Sequence, residues 1–293
     1  MQWPWAVGSP PFISSEATCW QGALIRCWHG TSAAMVQPAL DHHYVVMHLG
    51  GAKRVARQRD GPTVSTLVER NSLTFVTAGT AYVWQTDGPI AFAHLYVPPR
   101  QLEDVIARDF DAEGRDASLI ERVGCRDAFL EPLMKKMIER IRTGPDASKL
   151  LLDCLLENFY SRLVEKHGLR KAPGRSAPIA LAPHRLKRVL DFIDANLASD
   201  LRLADLVAAA GSSQSHFSRS FHKATGDSPY RYLLKRRIEF AKVLLLTGDH
   251  SLNAISASCG FRRQDQFALM FKRDVGIGPK RFRMGSGRNR PPS

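Results

Sequence analysis

The pattern of apolar residues changes from a period of two to a helical period after Val97. From Tyr44 to Val97, short runs rich in Val, Thr, Phe and Tyr alternate with turn glycines, which is typical of a small antiparallel sandwich or barrel. In the clearest run, from Ile90 to Val97, side chains two residues apart share a face. We therefore expect the even-numbered residues of this run to lie on one side of a strand.

The residues after Val97 have the spacing of amphipathic helices. We predict helices over 100–110, 129–142 and 148–165. The predicted fold class is α+β, with an N-terminal β-sandwich or barrel accompanied by helices and an all-helical C-terminal part. The apolar faces of the helices at 129–142 and 148–165 also predict a homodimer formed through this domain.

The C-terminal part repeats one pattern at an offset of 49 residues that becomes 50 after the turn glycine, where one residue is inserted. Seven matches at offsets of 49 or 50 residues indicate a duplicated structural unit. The matched pairs are Leu203/Leu252, Gly211/Gly260, Phe217/Phe267, Phe221/Phe271, Gly226/Gly276, Pro229/Pro279 and Tyr232/Phe282.

Each copy predicts a helix-turn-helix motif, and a long helix connects the two copies. At about 1.5 Å per residue the connecting helix spans roughly 28 Å, close to the roughly 34 Å between major-groove faces one turn apart. Its predicted basic face comprises Arg231, Lys235, Arg236, Arg237 and Lys242. The predicted helices span 183–197, 203–210, 213–224, 229–247, 252–258 and 263–274.

The outward face of the second helix of each copy provides the candidate DNA contacts. Its amide, hydroxyl, imidazole and guanidinium groups can bind base edges and phosphates. We expect the first copy to supply more base specificity, through Arg219, and the second copy more phosphate contacts. The candidates are Gln214, Ser215, His216, Ser218, Arg219, His222 and Lys223 in the first copy and Arg262, Arg263, Gln264, Asp265, Gln266, Leu269, Lys272 and Arg273 in the second.

The repeated part also carries almost all of the net charge of +13. Residues 175–293 contain 21 Lys and Arg against 9 Asp and Glu, whereas residues 1–174 contain 20 against 19. A strongly basic domain is typical of a protein that binds a polyanion, here double-stranded DNA. Charge alone is also compatible with a merely soluble basic surface, so the inference depends on the motif beside it.

Composition predicts the domain organisation and the cellular compartment. The Pro- and Gly-containing segment 168–182 is expected to be a linker between a sensing or dimerisation domain (1–167) and a DNA-binding domain (183–285), with a basic flexible tail at 286–293. The five scattered cysteines favour reduced thiols in a cytosol. No apolar run reaches the roughly 18–20 residues of a membrane span and the start lacks a signal-peptide pattern, so we expect a cytoplasmic protein without a membrane partner.

The repeat resembles the AraC/XylS family of bacterial transcriptional regulators over roughly residues 184–285. The resemblance implies a monomer that reads two adjacent major-groove segments and that usually activates transcription by contacting RNA polymerase. Leu269 departs from the family, whose members often carry a polar or basic residue there. The matching residues are Gly211, Gly260, Phe271, Lys272, Arg273, Gly276, Pro279, Phe282 and Arg283. The family's base-reading positions fall on Ser215, Ser218, Arg219, Gln264, Asp265, Ala268 and Leu269.

The first half is similar, less specifically, to the cupin-like sensor domain common in that family. Metal-binding cupins usually present a spaced pair of histidines, whereas His42 and His43 are adjacent and alternation sends them to opposite faces. We therefore expect no metal and no cofactor. The hairpin residues that match are Leu73, Phe75, Ala78, Gly79, Tyr82 and Trp84. Candidates for an effector pocket, each of which can equally be an ordinary core residue, are His48, Tyr82, Trp84, His94 and Tyr96.

The leading interpretation is a non-enzymatic, sequence-specific transcription regulator, expected to be an activator, whose N-terminal domain senses a small effector, dimerises or does both. One alternative is an effector-independent regulator whose N-terminal domain only dimerises or docks a protein partner. A more distant alternative is an enzyme, either a cupin-fold catalyst tethered to DNA or an alkyl-transfer repair protein. The first would need metal ligands and the second a reactive cysteine cluster, and the sequence offers neither.

Overall fold

The chain divides into two units, of which the first is rich in β-structure and the second is helical. The first unit comprises residues 1–147 and 155–177, and the second comprises residues 148–154 and 178–293. The computed structural model describes residues 10–18, 20, 22–30, 34–59, 61–110, 118–169, 180–211, 217–248 and 250–287.

Two antiparallel sheets form the framework of the first unit. The strands are β1 (Ile13–Ser14), β2 (Leu24–Gly30), β3 (Ala34–Gln37), β4 (His43–His48), β5 (Lys53–Gln58), β6 (Val64–Val68), β7 (Leu73–Val76), β8 (Tyr82–Thr86), β9 (Ile90–Val97) and β10 (Arg122–Cys125). The six-stranded sheet has the order β1-β2-β9-β4-β7-β10, and the four-stranded sheet has the order β3-β8-β5-β6. Strand β9 lies at the centre of the larger sheet because it pairs with both β2 and β4.

The side chains between the two sheets form one apolar cluster. Ile90, Phe92 and Tyr96 of β9 belong to this cluster, which confirms the predicted common face of the even-numbered residues. Leu95 and Val97 on the opposite face are also fully buried, so both faces of the larger sheet are covered. Other members of the cluster are Trp28, Tyr44, Val46, Val55, Val68, Val76, Tyr82 and Trp84.

Strands β1, β2, β3 and β10 lie outside the region from Tyr44 to Val97 in which strands are predicted from the sequence. In β2 the alternation of apolar and polar residues is masked by Arg26, whose guanidinium pairs with Glu16 at 2.9 Å. In β10 the register shifts between Arg122 and Cys125, so this edge strand has no regular period. In these two strands an ion pair and an irregular register hide the pattern, whereas β1 and β3 are too short, at two and four residues, to show a clear alternation.

Helices accompany the larger sheet and confirm those predicted after Val97. They are α1 (Pro99–Phe110), α2 (Leu130–Ile141) and α3 (Lys149–His167). The Phe75 ring of β7 contacts His167 at the end of α3, with ring centroids 4.4 Å apart. Phe159 and Leu163 of α3 are fully buried. The apolar stripe of α3 is therefore buried within the chain.

The second unit consists of helices, and those predicted from the sequence are present with small shifts at their described ends; the predicted start of the helix at 213–224 lies outside the described residues. Ser228 and Ser251 cap α7 and α8, each accepting a hydrogen bond from a backbone N–H three residues later, at 3.3 and 3.1 Å. Helix α10 is not among the helices predicted from the sequence. The helices are α4 (Pro183–Ala195), α5 (Leu203–Ala210), α6 (Phe217–Thr225), α7 (Pro229–Thr247), α8 (Leu252–Ser258), α9 (Gln264–Val275) and α10 (Pro279–Gly287).

The predicted linker and tail lie largely outside the described residues. Residues 170–179 and 288–293 are not among them. At the start of the predicted linker, the N–H of Leu169 donates a hydrogen bond of 2.8 Å to the carbonyl of Ser118. At its end, Leu181 is buried in the core of the second unit. Within the described ranges, no helix combines the length and apolar character needed to cross a membrane.

Two buried histidines make the stability of the first unit dependent on pH. Burial, aided by the charge of Lys53, lowers the pKa of His48 to about 4. Burial beside His48 lowers the pKa of His94 to about 3. In the unfolded chain both imidazoles bind protons near pH 6.5, so the folded state loses stability as the pH falls from about 6.5 toward 4 and 3.

Between about pH 6 and pH 5, we expect the free energy of unfolding of the wild-type first unit to fall by roughly 1 kcal/mol per histidine. In His48→Gln it should fall by less. All five tryptophans lie between residues 3 and 84, so tryptophan fluorescence during urea unfolding reports this unit. His222→Gln, at an exposed position of the second unit, is the control and should keep the wild-type slope. Equal slopes for His48→Gln and wild type would contradict this account.

Candidate nucleic-acid interface

The first helix-turn-helix motif is formed by α5, a glycine turn and α6. Gly211 ends α5 with φ +56°, a left-handed conformation that a residue with a side chain rarely adopts, and its N–H donates to Ala208 O at 3.0 Å. The segment that follows, 212–216, lies outside the described residues. The candidates Gln214, Ser215 and His216 therefore stay predictions without a described position.

Two phenylalanines fix the orientation of α6. Phe217 and Phe221 are buried with ring centroids 5.6 Å apart, and Phe221 meets Tyr232 of α7 edge-on at 5.6 Å. Truncating a buried phenylalanine typically costs 3–5 kcal/mol, so this aromatic triad strongly restrains the helix. The outward candidates of α6 are half-buried (Ser218 and Arg219) or exposed (His222 and Lys223).

The second motif repeats the triad. Phe267 and Phe271 of α9 have ring centroids 5.6 Å apart, and Phe271 meets Phe282 of α10 edge-on at 5.4 Å. Two equivalent ring contacts among three aromatic residues thus hold both α6 and α9, which explains why these positions repeat in the sequence. Leu269 lies on the outward face and is 63% exposed, so its side chain is presented where polar Arg219 stands in the first copy.

The cationic side chains of the second motif differ in how they are engaged. Arg262 pairs with Asp200 at 3.0 Å, and Arg263 makes a bidentate pair with Asp265 at 2.7 and 3.0 Å. That pair, chiefly the hydrogen bonds from Arg263, lowers the pKa of the Asp265 carboxyl.

Lys272 and Arg273 in the last turn of α9 are exposed and form no ion pair with another described residue. A cation in the last turn is also stabilised by the helix dipole. Among the predicted phosphate contacts, these two are therefore the ones whose charge is available without breaking a pair. Gln264 is exposed at the start of the helix, and Gln266 is half-buried.

Arg237 does not belong to the basic face predicted for the connecting helix. Its side chain is buried, with Nε donating to Leu197 O at 2.8 Å and Nη2 donating to Ser199 O at 2.7 Å. Burial lowers the pKa of its guanidinium. The helical pattern places Arg237 beside charged neighbours, but its guanidinium bonds to two carbonyls of the loop that follows α4 and is buried there. The other four predicted members are exposed or half-buried.

A repeat offset could have revealed the special position of Arg237. Arg188 of α4 lies 49 residues earlier, at the offset that relates Gly211 to Gly260. Its Nη2 donates to Ala210 O at 2.9 Å, next to the first turn glycine. An arginine that contacts the region of a turn glycine is therefore part of the repeated unit, a match that sequence reasoning did not include.

The second turn depends on a close approach of backbone to backbone. Gly260 has φ +73°, and a Cβ atom built on it would lie 2.3 Å from Leu197 O and 2.6 Å from the Arg237 Nη2. Both the conformation and the space therefore require glycine at this position.

The first unit contains a separate candidate site, an apolar cavity of about 50 Å³ between its sheets. Three of the five predicted effector residues, His48, Trp84 and His94, line this cavity. Tyr82 does not line it, and its hydroxyl donates to Glu121; Tyr96 lines a second depression of about 340 Å³. Sequence reasoning missed the remaining wall, which consists of Met35, Tyr44, Val46, Val55, Thr74, Thr86, Ile90 and Phe92.

The polar groups of this cavity are uncharged. His48 Nε2 lies 3.0 Å from the Thr74 hydroxyl, and its Nδ1 is buried without a hydrogen-bond partner. The low pKa values of His48 and His94 keep both imidazoles neutral at pH 7. The described lining residues include no Lys, Arg, Asp or Glu. This chemistry suits an uncharged apolar ligand with one polar group.

The adjacent histidines have separate environments. His43 is buried, and its Nδ1 accepts a hydrogen bond from the backbone N–H of Ala78 at 3.1 Å. His42 is partly exposed and pairs with Asp41. Among the described residues, no three His, Cys, Asp or Glu side chains are grouped so as to hold a metal ion.

Comparison with known proteins identifies the C-terminal part. Residues 206–285 match a family model described as a helix-turn-helix domain. The regulatory protein PocR of Salmonella typhimurium is 27% identical over 157 residues, which cover 53% of this chain and 52% of PocR. The probable transcriptional regulator LumQ of Photobacterium leiognathi is 32% identical over 100 residues, covering 33% of this chain and 40% of LumQ. The chain thus spans about half the length of these curated relatives or less.

A solved structure of a Chromobacterium violaceum transcriptional regulator, described as containing an AraC-type DNA-binding domain, is also similar. It is 26% identical and covers 37% of this chain and 96% of that chain, with a TM-score of 0.34.

The two left-handed glycines of the second motif provide a matched test of the backbone contact. A Cβ on Gly276, which has φ +88°, meets nothing within 4 Å. We expect Gly276→Ala to cost about 1–2 kcal/mol from its conformation alone. Gly260→Ala should cost at least about twice as much, because it also collides with Leu197 O. Urea unfolding followed by far-UV circular dichroism measures both. Similar losses for the two variants would show that the close approach is unimportant.

Proposed function

We propose that this chain, whose C-terminal part is a helix-turn-helix domain of the AraC type, is a sequence-specific DNA-binding transcription regulator. The observation that carries the proposal is the pair of reading helices, α6 and α9, held by equivalent aromatic triads on one helical unit. The excess of cations in residues 175–293 supplies the attraction to phosphate. We also propose the domain boundaries predicted from the sequence, with the DNA-binding domain at residues 183–285.

In the proposed complex the two motifs read adjacent major-groove segments with unequal roles. Arg219 on α6 is suited to a bidentate contact with guanine, whereas Leu269 at the matching position of α9 offers only apolar contact. Lys272 and Arg273 carry charge that no described carboxylate compensates. The first motif then supplies more of the base specificity and the second more of the attraction to the DNA backbone. The other candidate residues predicted from the sequence for both motifs are proposed to contribute further contacts to the DNA.

Arg219→Ala and Lys272→Ala separate the two roles. We expect Arg219→Ala to relax the preference for one base and to cost about 1–3 kcal/mol on the preferred sequence only. Lys272→Ala should weaken binding to all sequences equally and reduce the salt slope by about one. The measurement is fluorescence anisotropy of the full chain with duplexes selected from random DNA and with scrambled duplexes. A uniform loss for Arg219→Ala would refute the assignment.

For the first unit we propose a cupin-like sensing domain that binds a small uncharged effector between its sheets. The neutral histidines and the apolar wall support this chemistry. A cavity of about 50 Å³ is small beside the roughly 300–1,000 Å³ of ordinary ligand pockets, so the sheets must separate for a larger effector. An effector-independent domain that only dimerises or docks a protein is the alternative.

A probe pair distinguishes the effector from its alternative. We expect phenol to raise the unfolding temperature of the first unit, measured by tryptophan fluorescence, and benzoate to leave it unchanged because no described lining group carries a positive charge. Val46→Trp fills the cavity and should abolish the shift. Val64→Trp, at an exposed site of the same unit, should retain it. A shift that survives Val46→Trp would exclude this cavity.

The resemblance to AraC/XylS regulators also underlies the proposal that the chain activates transcription by contacting RNA polymerase. The proposal that it forms a homodimer comes instead from the apolar faces predicted for the helices at 129–142 and 148–165. The apolar residues of α3 are already buried, so a dimer surface on α2 and α3 would centre on Phe129, which is 64% exposed. Three of the described cysteines do not support thiol catalysis, because burial raises the pKa of Cys27 to about 12 and of Cys125 and Cys259 to about 11.

A further inference from the structure

Three arginines, two on the connecting helix α7 and one just before α9, form hydrogen bonds with one segment near the end of α4. The segment is 194–200, the last turn of α4 and the loop that follows it. Arg236 pairs with Asp194 through two hydrogen bonds of 2.7 and 3.0 Å. Arg262, just before α9, pairs with Asp200 at 3.0 Å. We call Arg236, Arg237 and Arg262 the arginine clamp.

Arg237 is the central member of the arginine clamp. Its guanidinium donates in two directions, to Leu197 O and to Ser199 O, within a buried site. Burying a guanidinium is unfavourable, and the two charge-assisted hydrogen bonds offset that cost only in one geometry. The planar fork of arginine therefore defines the position of the segment more narrowly than apolar packing does.

The same guanidinium touches the turn of the second motif. It lies 5.9 Å from the centre of the Phe261 ring, and Gly260 approaches it so closely that a Cβ would meet Nη2 at 2.6 Å. One side chain thus contacts the loop that follows α4, a helix that packs against α5, and also the turn that leads into α9. A rotation of one motif relative to the other would break these contacts.

Packing of the two motifs on α7 alone restrains them less completely. The first apolar cluster of the unit includes Leu233, and the second includes Ile238, Ala241 and Leu245, so the motifs occupy successive turns of one helix. Apolar contacts tolerate small rotations, because they are not directional. Hydrogen bonds from three guanidinium groups are directional and therefore oppose such rotations.

We infer that the arginine clamp sets the angle and separation of α6 and α9 and thereby selects the spacing between the two DNA segments that the protein binds. The inference rests on the proposed function. Adjacent base pairs are about 3.4 Å apart and are rotated by about one tenth of a turn. A fixed pair of reading helices therefore fits one spacing, and a loosened pair tolerates several.

The test uses the full chain and a duplex selected from random DNA with wild-type protein. The duplex is then rebuilt with one base pair inserted or deleted between its two protected blocks. We expect wild type to lose at least about tenfold in affinity on this change of spacing. Arg237→Met should bind the selected duplex more weakly than wild type does, and the change of spacing should lower its affinity by less than about threefold. For Arg237→Lys, the loss of affinity on this change should lie between those of wild type and Arg237→Met.

Asp194→Ala releases Arg236 without removing a cation. It should also reduce the difference in affinity between the selected duplex and the duplex with altered spacing. Asp191→Ala is its matched control, because Asp191 lies on the same helix and pairs only with Lys187 in the described contacts. The control should keep the wild-type ratio. These exposed positions keep the test decisive if Arg237→Met does not fold.

The ratio of affinities for the two spacings is the deciding quantity, since a general loss of stability lowers both affinities together. Wild-type ratios in both Arg237→Met and Asp194→Ala would overturn the inference while leaving the proposed function intact. Failure of wild-type protein to select any DNA sequence would instead refute the proposed function, and the inference would fall with it.

Discussion

Burial of the Arg237 guanidinium against two backbone carbonyls is the contact on which the second unit most depends. Without it, Leu197 O would lose its donor where the guanidinium excludes water, which would cost about 1–3 kcal/mol, while Ser199 O would keep only the hydrogen bond from the N–H of Leu201. The contact also dictates its surroundings. Gly260 must lack a side chain to pass beside it, and the Phe261 ring covers it. A polar anchor thus fixes the register of an otherwise apolar helical core.

Much of the second unit can be predicted from sequence because its signals are local. Phenylalanines four residues apart, turn glycines and serine caps lie within single helices or turns, so their spacing specifies the elements directly. The contacts between elements are different. Arg262 meets Asp200 from 62 residues away, and Arg237 is buried although its helix position predicts exposure. Only the repeat itself, through Arg188 and Arg237, holds a sequence signal for such a contact.

The first unit shows the same division between local and distant determinants. Alternation in β9 predicts which residues enter the core, because neighbouring side chains of a strand must point to opposite faces. It does not predict which core residues line a cavity. Tyr82 turns toward Glu121, which lies 39 residues later in the chain, and leaves the cavity wall to Met35 and Val55 from other strands. Strand β2 was hidden for a related reason, since its Arg26 is compensated by Glu16.

The ion pairs of the second motif bear on how its charge acts toward a polyanion. Arg262 and Arg263 are each compensated by a carboxylate, so a phosphate that binds either one must displace Asp200 or Asp265. Such an exchange releases less free energy than a contact with an uncompensated cation, because one ion pair is lost as another forms. Lys272 and Arg273 face no such competition from the described carboxylates. The number of cations therefore overstates the affinity of the motif for phosphate. The carboxylates that position the arginines at the start of α9 also weaken the attraction of these arginines to DNA.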